Sequence, residues 1–133
     1  MENIFVDTSA IYALLSGDET ESGKAVSVWE AMLDRGDRLV TNNYVLGEAM
    51  TLLQSRIGFA PVHAFRANIL PFLQVEWIDE KKHSRIVERL LNANRRQLSL
   101  VDCSSFETMR QAGITRAFTL DEHFREQGFT VIP

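Results

Sequence analysis

The chain begins with Asn-Ile-Phe-Val-Asp-Thr-Ser at residues 3–9, and this stretch predicts how the rest of the fold is organised. Residues 3–6 have the short apolar pattern of a buried strand. Asp7 then stands at the carboxyl end of that strand, and Thr8 or Ser9 can cap a helix that continues to about Leu15. A strand that passes directly into a helix is the repeating unit of α/β proteins.

The same alternation continues to the end of the sequence. Further strands are predicted at residues 38–41, 75–78, 117–120 and 130–132, and helices at residues 23–33, 44–56, 61–70, 81–92 and 99–113. Strands that alternate with helices predict a central, mainly parallel sheet of about five short strands, covered on both faces in a three-layer α/β/α fold. A chain of 133 residues is the size of one domain, so we expect residues 1–133 to form a single domain.

The composition is that of a globular protein, with 45% hydrophobic and 24% charged residues. No apolar run approaches the roughly 18 residues of a membrane span, and we expect a cytoplasmic protein without a membrane anchor. The single cysteine, Cys103, cannot form an internal disulfide, which suits a reducing compartment. We interpret Cys103 as a small buried hydrophobic residue rather than a nucleophile.

Four acidic residues follow predicted strands or lie in the helices next to them: Asp7, Glu48, Asp102 and Asp121. Ligands of open α/β sheets bind outside the carboxyl ends of the strands, where Asp7 and Asp121 are predicted to lie. Carboxylates crowded there would repel each other by about 4 kcal/mol per pair at 4 Å and an effective dielectric constant of about 20. One or two Mg²⁺ or Mn²⁺ ions, which take oxygen ligands, would relieve that repulsion.

Each of the four residues also has an ordinary structural explanation. Asp7 fits a turn, Glu48 a solvated helix position and Asp121 the start of a helix. Asp102 stands three residues after Ser99, as in a capping box. For any one residue alone, the structural explanation would be preferred. The joint occurrence of all four acidic residues at one edge of the sheet favours a metal site.

The remaining aromatic and imidazole side chains give no clear functional pattern. Trp29 and Trp77 are expected in the core. The histidines occur singly, and we expect surface or packing roles for His63, His83 and His123.

Basic residues gather in one predicted helix despite the net charge of −4. Lys81, Arg85 and Arg89 recur at four-residue spacing on one helix face, with Lys82 beside them. This pattern fits a solvated helix surface and a surface that contacts phosphate groups equally well.

The ordered set of segments resembles the PIN-domain ribonucleases, in particular the toxins of VapBC toxin-antitoxin pairs. The segments are Val-Asp-Thr-Ser at residues 6–9, Asn-Tyr-Val-Leu-Gly-Glu-Ala at 43–49, Leu-Ser-Leu-Val-Asp at 98–102 and Ala-Phe-Thr-Leu-Asp-Glu-His-Phe at 117–124. The resemblance covers nearly the whole chain. Glu107 departs from it, because relatives often have an apolar residue at that position.

The resemblance implies a divalent-metal-dependent endoribonuclease whose acidic quartet matches Asp7, Glu48, Asp102 and Asp121. Ser9 matches a supporting hydroxyl position beside the quartet. The family also implies an RNA substrate, a protein antitoxin that could place an arginine in the acidic pocket, and a homodimer. Residues that could form the dimer interface are Phe65, Ile69 and Phe72, although these side chains also fit the core.

Two other functions remain open from the sequence. The first is a catalytically silent PIN-like scaffold that binds RNA or a protein. The second is an aspartate-nucleophile phosphatase, which also begins with a strand ending in Asp. That class needs a second acidic residue two positions later, where this chain has Ser9.

Overall fold

The computed structural model describes residues 1–17 and 19–133, with residues 19 and 20 described by their backbone alone. Within these residues the strands are β1 (Asn3–Val6), β2 (Arg38–Asn42), β3 (Leu73–Glu76), β4 (Arg116–Phe118) and β5 (Thr130–Ile132). All pair in parallel, in the order β3-β2-β1-β4-β5. The predicted parallel sheet of five short strands is therefore confirmed.

Helices connect the strands on both sides of the sheet. They are α1 (Thr8–Leu15), α2 (Glu19–Arg35), α3 (Asn43–Arg56), α4 (Phe59–Ala64), α5 (Glu80–Ala93), α6 (Leu100–Ala112) and α7 (His123–Glu126). A π-helical segment at Phe65–Ile69 and a 3-10 turn at Leu70–Phe72 extend α4. None of the described helices combines the length and the apolar character needed to cross a membrane.

The helices form two layers around a buried core. Helix α1 packs against α2 and α3, and α3 packs against α4, whereas α5 packs against α6. The core includes Phe5 of β1 and Phe106 of α6, whose rings both pack against Phe124 of α7, the latter edge to face. These layers give the predicted α/β/α arrangement.

The third strand lies earlier in the chain than predicted. We expected residues 75–78, but β3 pairs Leu73 with Leu39 and Glu76 with Asn42, and ends there. Ile78 leaves the sheet because its backbone is bound by a side chain: its N–H donates to Asn43 Oδ1 over 2.6 Å and its carbonyl accepts from Asn43 Nδ2 over 3.4 Å.

The fourth strand also ends before the predicted residue 120. The backbone N–H of Leu120 donates to Ser9 Oγ over 2.9 Å, and that of Asp121 donates to Thr119 Oγ1 over 3.0 Å. Side-chain hydroxyls thus replace the neighbouring strand as hydrogen-bond partners. This early end turns the chain toward the carboxyl edge of the sheet.

Two expectations about apolar residues are corrected by their exposure. Trp29 is buried as predicted, but Trp77 is 66% exposed because it follows the last residue of the edge strand β3. Phe65 and Ile69 are buried in the core and offer no surface for a second protomer. Only Phe72 of that predicted interface is exposed.

Candidate active site

The strand order places the first and last predicted aspartates at one edge of the sheet. The chain moves from β1 outward through β2 to β3, and β4 returns to the other side of β1. A reversal of this kind creates a crevice at the carboxyl ends of the strands. The backbone N–H of Asp7 donates to the carbonyl of Phe118 over 3.0 Å, which fixes the ends of β1 and β4 side by side.

Asp7 lies at the base of this crevice and is only 5% exposed. Its Oδ2 accepts hydrogen bonds from Thr119 Oγ1 at 2.8 Å and from Ser9 Oγ at 3.0 Å. Burial raises the pKa of Asp7 to about 6, although the hydrogen bonds from Thr119 and Ser9 oppose the shift. The nearby negative charge of Asp102 raises this pKa further.

Ser9 and Thr119 join the two halves of the crevice. Each hydroxyl has one hydrogen, and each donates it to Asp7 while accepting a backbone N–H from the segment after β4, Leu120 for Ser9 and Asp121 for Thr119. The orientation of Asp7 and the path of the chain to Asp121 are thus set by the same two side chains. The predicted supporting position of Ser9 lies beside Asp7, while Thr119 had not been predicted.

Asp102 takes part in the cap of α6 and also lies at the crevice, so both interpretations drawn from the sequence apply to it. Ser99 Oγ accepts from the N–H of Asp102 over 2.9 Å, and Asp102 Oδ2 accepts from the N–H of Ser99 over 3.2 Å, which completes a capping box. Burial raises the pKa of Asp102, and the charge of Asp121 raises it further. The cap therefore holds a carboxylate at the crevice in one orientation.

Asp121 and His123 complete a group of three potential ligands with Asp102. One ligand atom from each residue lies within 4.8 Å of the others. His123 Nδ1 is 3.2 Å from Asp121 Oδ1 and 3.5 Å from Asp102 Oδ2. A surface or packing role was predicted for His123, and the structure places its imidazole beside two predicted site residues.

Glu48 occupies a different position from the other predicted ligands. It is half-buried on α3, more than one turn after the helix begins. In the part of the chain that the structure describes, its carboxylate does not belong to the group within 4.8 Å. The structure thus brings Asp102 and Asp121 together, places Asp7 within electrostatic range of Asp102, and leaves Glu48 outside that group.

The donor atoms at the crevice fit a divalent cation. Two carboxylates and an imidazole are common ligands of divalent metal ions, and Asp7 adds a third carboxylate nearby. His123 Nδ1 is buried and has no hydrogen-bond partner among the described residues. The three ligand atoms therefore form a partly desolvated, electronegative site.

The basic helix is only partly free to meet another molecule. Lys81 and Arg85 are exposed on α5, and Lys82 is half-buried. Arg89 Nε instead lies 2.7 Å from Oε2 of the buried Glu107 on α6. Arg89 thus neutralises the residue at which the sequence departs from the family pattern.

Sequence reasoning missed two residues that contact the predicted site residues. Thr119 lies two positions before Asp121, and His123 lies two positions after it. No hydrophobic period marks either position, because Thr119 follows the end of β4 and His123 begins the four-residue helix α7. The one available signal was their closeness in sequence to a predicted ligand.

Comparisons with known proteins agree with this geometry. Residues 4–129 match the PIN domain family. The chain is 34% identical over 130 residues to the 23S rRNA-specific endonuclease VapC20 from each of two strains of Mycobacterium tuberculosis, covering 97% of this chain and 97% of each relative. The crystal structure of Mycobacterium tuberculosis VapC20, described as a sarcin-ricin loop cleaving toxin, superposes with a TM-score of 0.86 and 35% identity, covering 98% of this chain and 99% of the other. With its family match, its relatives and its sheet order in agreement, the chain belongs to the PIN-domain family.

Proposed function

We propose that this protein is an endoribonuclease that hydrolyses RNA phosphodiester bonds at the crevice formed by Asp7, Asp102 and Asp121, and that it acts as the toxin of a toxin-antitoxin pair. The observation that carries the proposal is the convergence of these carboxylates where β1 and β4 end. The matched VapC20 proteins are endonucleases, so the comparisons confirm the ribonuclease toxin class predicted from the sequence. They do not support a catalytically silent scaffold.

Asp7, Asp102 and Asp121 would hold one or two Mg²⁺ or Mn²⁺ ions, with Glu48 contributing from α3 directly or through water. A bound divalent ion supplies positive charge to the phosphodiester and makes water easier to deprotonate. The fit is supported by the raised pKa values of Asp7 and Asp102, because carboxylates that are costly to ionise alone are stabilised by a cation.

The protein's own groups keep the carboxylates in position. Ser9 and Thr119 hold Asp7 from one side, while the capping box with Ser99 holds Asp102. Such supporting hydrogen bonds orient metal ligands and typically contribute 10–100-fold to affinity or activity. Their presence favours a prearranged site over a loose acidic surface.

Lys81, Lys82 and Arg85 are our candidates for contacts with RNA phosphates. Arg89 was included with them on sequence grounds and remains a weaker candidate because it pairs with Glu107. The matched proteins are described as cleaving 23S rRNA at the sarcin-ricin loop. We propose structured ribosomal RNA as the substrate, read by its shape.

A protein antitoxin is the expected partner of a toxin of this family. We propose that an arginine from the antitoxin pairs with the carboxylates of the crevice and competes with the metal ion. A homodimer is also proposed, although its surface must differ from the Phe65 and Ile69 region because those residues are buried.

Cleavage of 23S rRNA by the purified protein tests the proposed function. Activity should require Mg²⁺ or Mn²⁺ and stop with EDTA. Asp121→Asn should reduce cleavage by more than the roughly 10–100-fold typical of supporting residues. Glu122→Gln is the matched control, because Glu122 is an exposed neighbour whose partner is Arg125. Activity that persists in EDTA, or in Asp121→Asn, would refute the mechanism.

A further inference from the structure

His123 is the one member of the three-residue group that is not a carboxylate. Its backbone N–H donates to Asp121 Oδ1 over 2.9 Å, which turns the residue toward the site. Its Nδ1 is buried and lies near both carboxylates, yet forms no hydrogen bond with any group in residues 1–17 or 19–133. Buried polar atoms almost always have a hydrogen-bond partner, so a nitrogen without one beside two carboxylates points to a ligand.

The separations of His123 Nδ1 from the two carboxylates are close to those expected of ligands that share one ion. Small divalent ions hold their ligands at about 2.1 Å, so ligands at right angles lie about 3.0 Å apart. His123 Nδ1 is 3.2 Å from Asp121 Oδ1 and 3.5 Å from Asp102 Oδ2. A ligand atom of each residue lies within 4.8 Å of the other two, so the three residues can approach a common centre.

We infer that His123 Nδ1 is a direct nitrogen ligand of the divalent ion at Asp102 and Asp121, and that it gives the site a preference for first-row transition metal ions over Mg²⁺. The inference rests on the proposed function, because it requires that this site holds a metal ion. Mg²⁺ prefers oxygen ligands, whereas imidazole is a favourable ligand of transition metals. Replacing one oxygen ligand by nitrogen thus changes which ion binds best.

A different arrangement would have the opposite consequence. If His123 served as a cation paired with Asp102 and Asp121, its positive charge would repel the metal ion. Removing the imidazole would then strengthen metal binding. If His123 is a ligand, removing its imidazole weakens metal binding. The direction of the change in metal affinity therefore distinguishes the two arrangements.

Pulsed electron paramagnetic resonance of Mn²⁺ bound to the full chain tests the inference without measuring cleavage. The wild-type spectrum should contain coupling to a ring nitrogen, and His123→Ala should lose it. Calorimetric titration should show Mn²⁺ affinity falling about tenfold or more in His123→Ala, with a smaller change for Mg²⁺. His123→Asp restores an oxygen ligand and should shift the preference toward Mg²⁺.

His63→Ala provides the matched control, because His63 is exposed on α4 and should leave both the spectrum and the affinities unchanged. Tight Mn²⁺ binding without nitrogen coupling, or equal or tighter binding in His123→Ala, would overturn the role of His123 alone. A wild-type protein that binds neither Mn²⁺ nor Mg²⁺ would overturn both this inference and the proposed metal-dependent function. The wild-type spectrum by itself tests for nitrogen coupling, so the inference can be refuted even if a variant folds poorly.

Discussion

Asp7 lowers the stability of the folded protein at neutral pH while supplying a carboxylate to the candidate active site. Its pKa is raised from 3.8 to about 6 because its charged form is buried. In the unfolded chain the carboxyl group ionises near its ordinary pKa of about 3.9, so between these values the folded state binds more protons. The free energy of unfolding therefore falls as the pH rises from about 4 to about 6.

We predict that Asp7→Asn stabilises the metal-free protein while abolishing cleavage. Each pKa unit corresponds to about 1.4 kcal/mol, so the gain at pH 7.5 should be at most about 3 kcal/mol and should vanish below pH 4. Urea denaturation at several pH values measures it. Asp34→Asn, a change at an exposed position of α2, is the control. A variant less stable than the wild type at pH 7.5 would contradict this explanation.

Thr119→Val should weaken the site without removing a charged group. The change keeps the side-chain shape but removes a hydrogen bond that favours the charged form of Asp7, so the pKa of Asp7 should rise further. We expect a roughly 10–100-fold loss of cleavage at pH 7 that is partly recovered at higher pH. A pH series of cleavage rates measures this effect. Thr51→Val, which removes a hydroxyl that donates to the carbonyl of Gly47 one turn earlier in α3, should have little effect. Equal losses at all pH values would argue against this role of Thr119.

At the scale of the elements, α5 and α6 are held together partly by an ion pair. Glu107 is buried on α6, with Arg89 Nε at 2.7 Å and an amide hydrogen bond from Gln111 at 3.2 Å. Losing the cation leaves a buried carboxylate uncompensated, which costs 3–5 kcal/mol for fully buried pairs. Water around the half-exposed Arg89 side chain reduces that figure here.

We predict that Arg89→Ala lowers the free energy of unfolding by about 1–3 kcal/mol. Adding Glu107→Leu should restore most of the loss, because an apolar side chain needs no cation in this position. Denaturation curves of both variants measure the effect, and Arg85→Ala, an exposed change on the same helix, is the control. If Arg89→Ala left the stability unchanged, the ion pair with Glu107 would not be needed for the fold, and Arg89 would be available for RNA contact.

Strands and helices were predictable from the sequence where a local hydrophobic pattern determined them. The alternation of strands and helices predicted the parallel sheet, and the strand before Asp7 predicted its place at the carboxyl edge. The ends of β3 and β4 were missed because side chains far away in sequence, Asn43 and Ser9, take their backbone hydrogen bonds. Trp77 was misplaced because a sequence does not show which strand lies at an edge.

The whole molecule has a net charge of −4, so RNA binding must depend on where its cations lie. We predict that replacing Lys81, Lys82 and Arg85 by Ala in an Asp121→Asn background weakens RNA binding and reduces its salt dependence. Each lost phosphate contact lowers the slope of log affinity against log salt by about 0.7–0.9, so the triple variant should lose about two to three units. Fluorescence anisotropy at several salt concentrations measures the slope. Lys24→Ala, exposed on α2, is the control. An unchanged slope would mean that α5 is a solvated surface.

The hydrogen bond between Thr119 and Asp7 joins residues 112 positions apart in the chain. A growing polypeptide that has released β1 but not β4 can orient Asp7 through Ser9 but lacks the second hydrogen bond from Thr119, and Asp121 has not yet been released. A nascent chain is therefore expected to have no cleavage activity until the segment through Asp121 has been released. An antitoxin made at the same time would have that whole interval in which to accumulate.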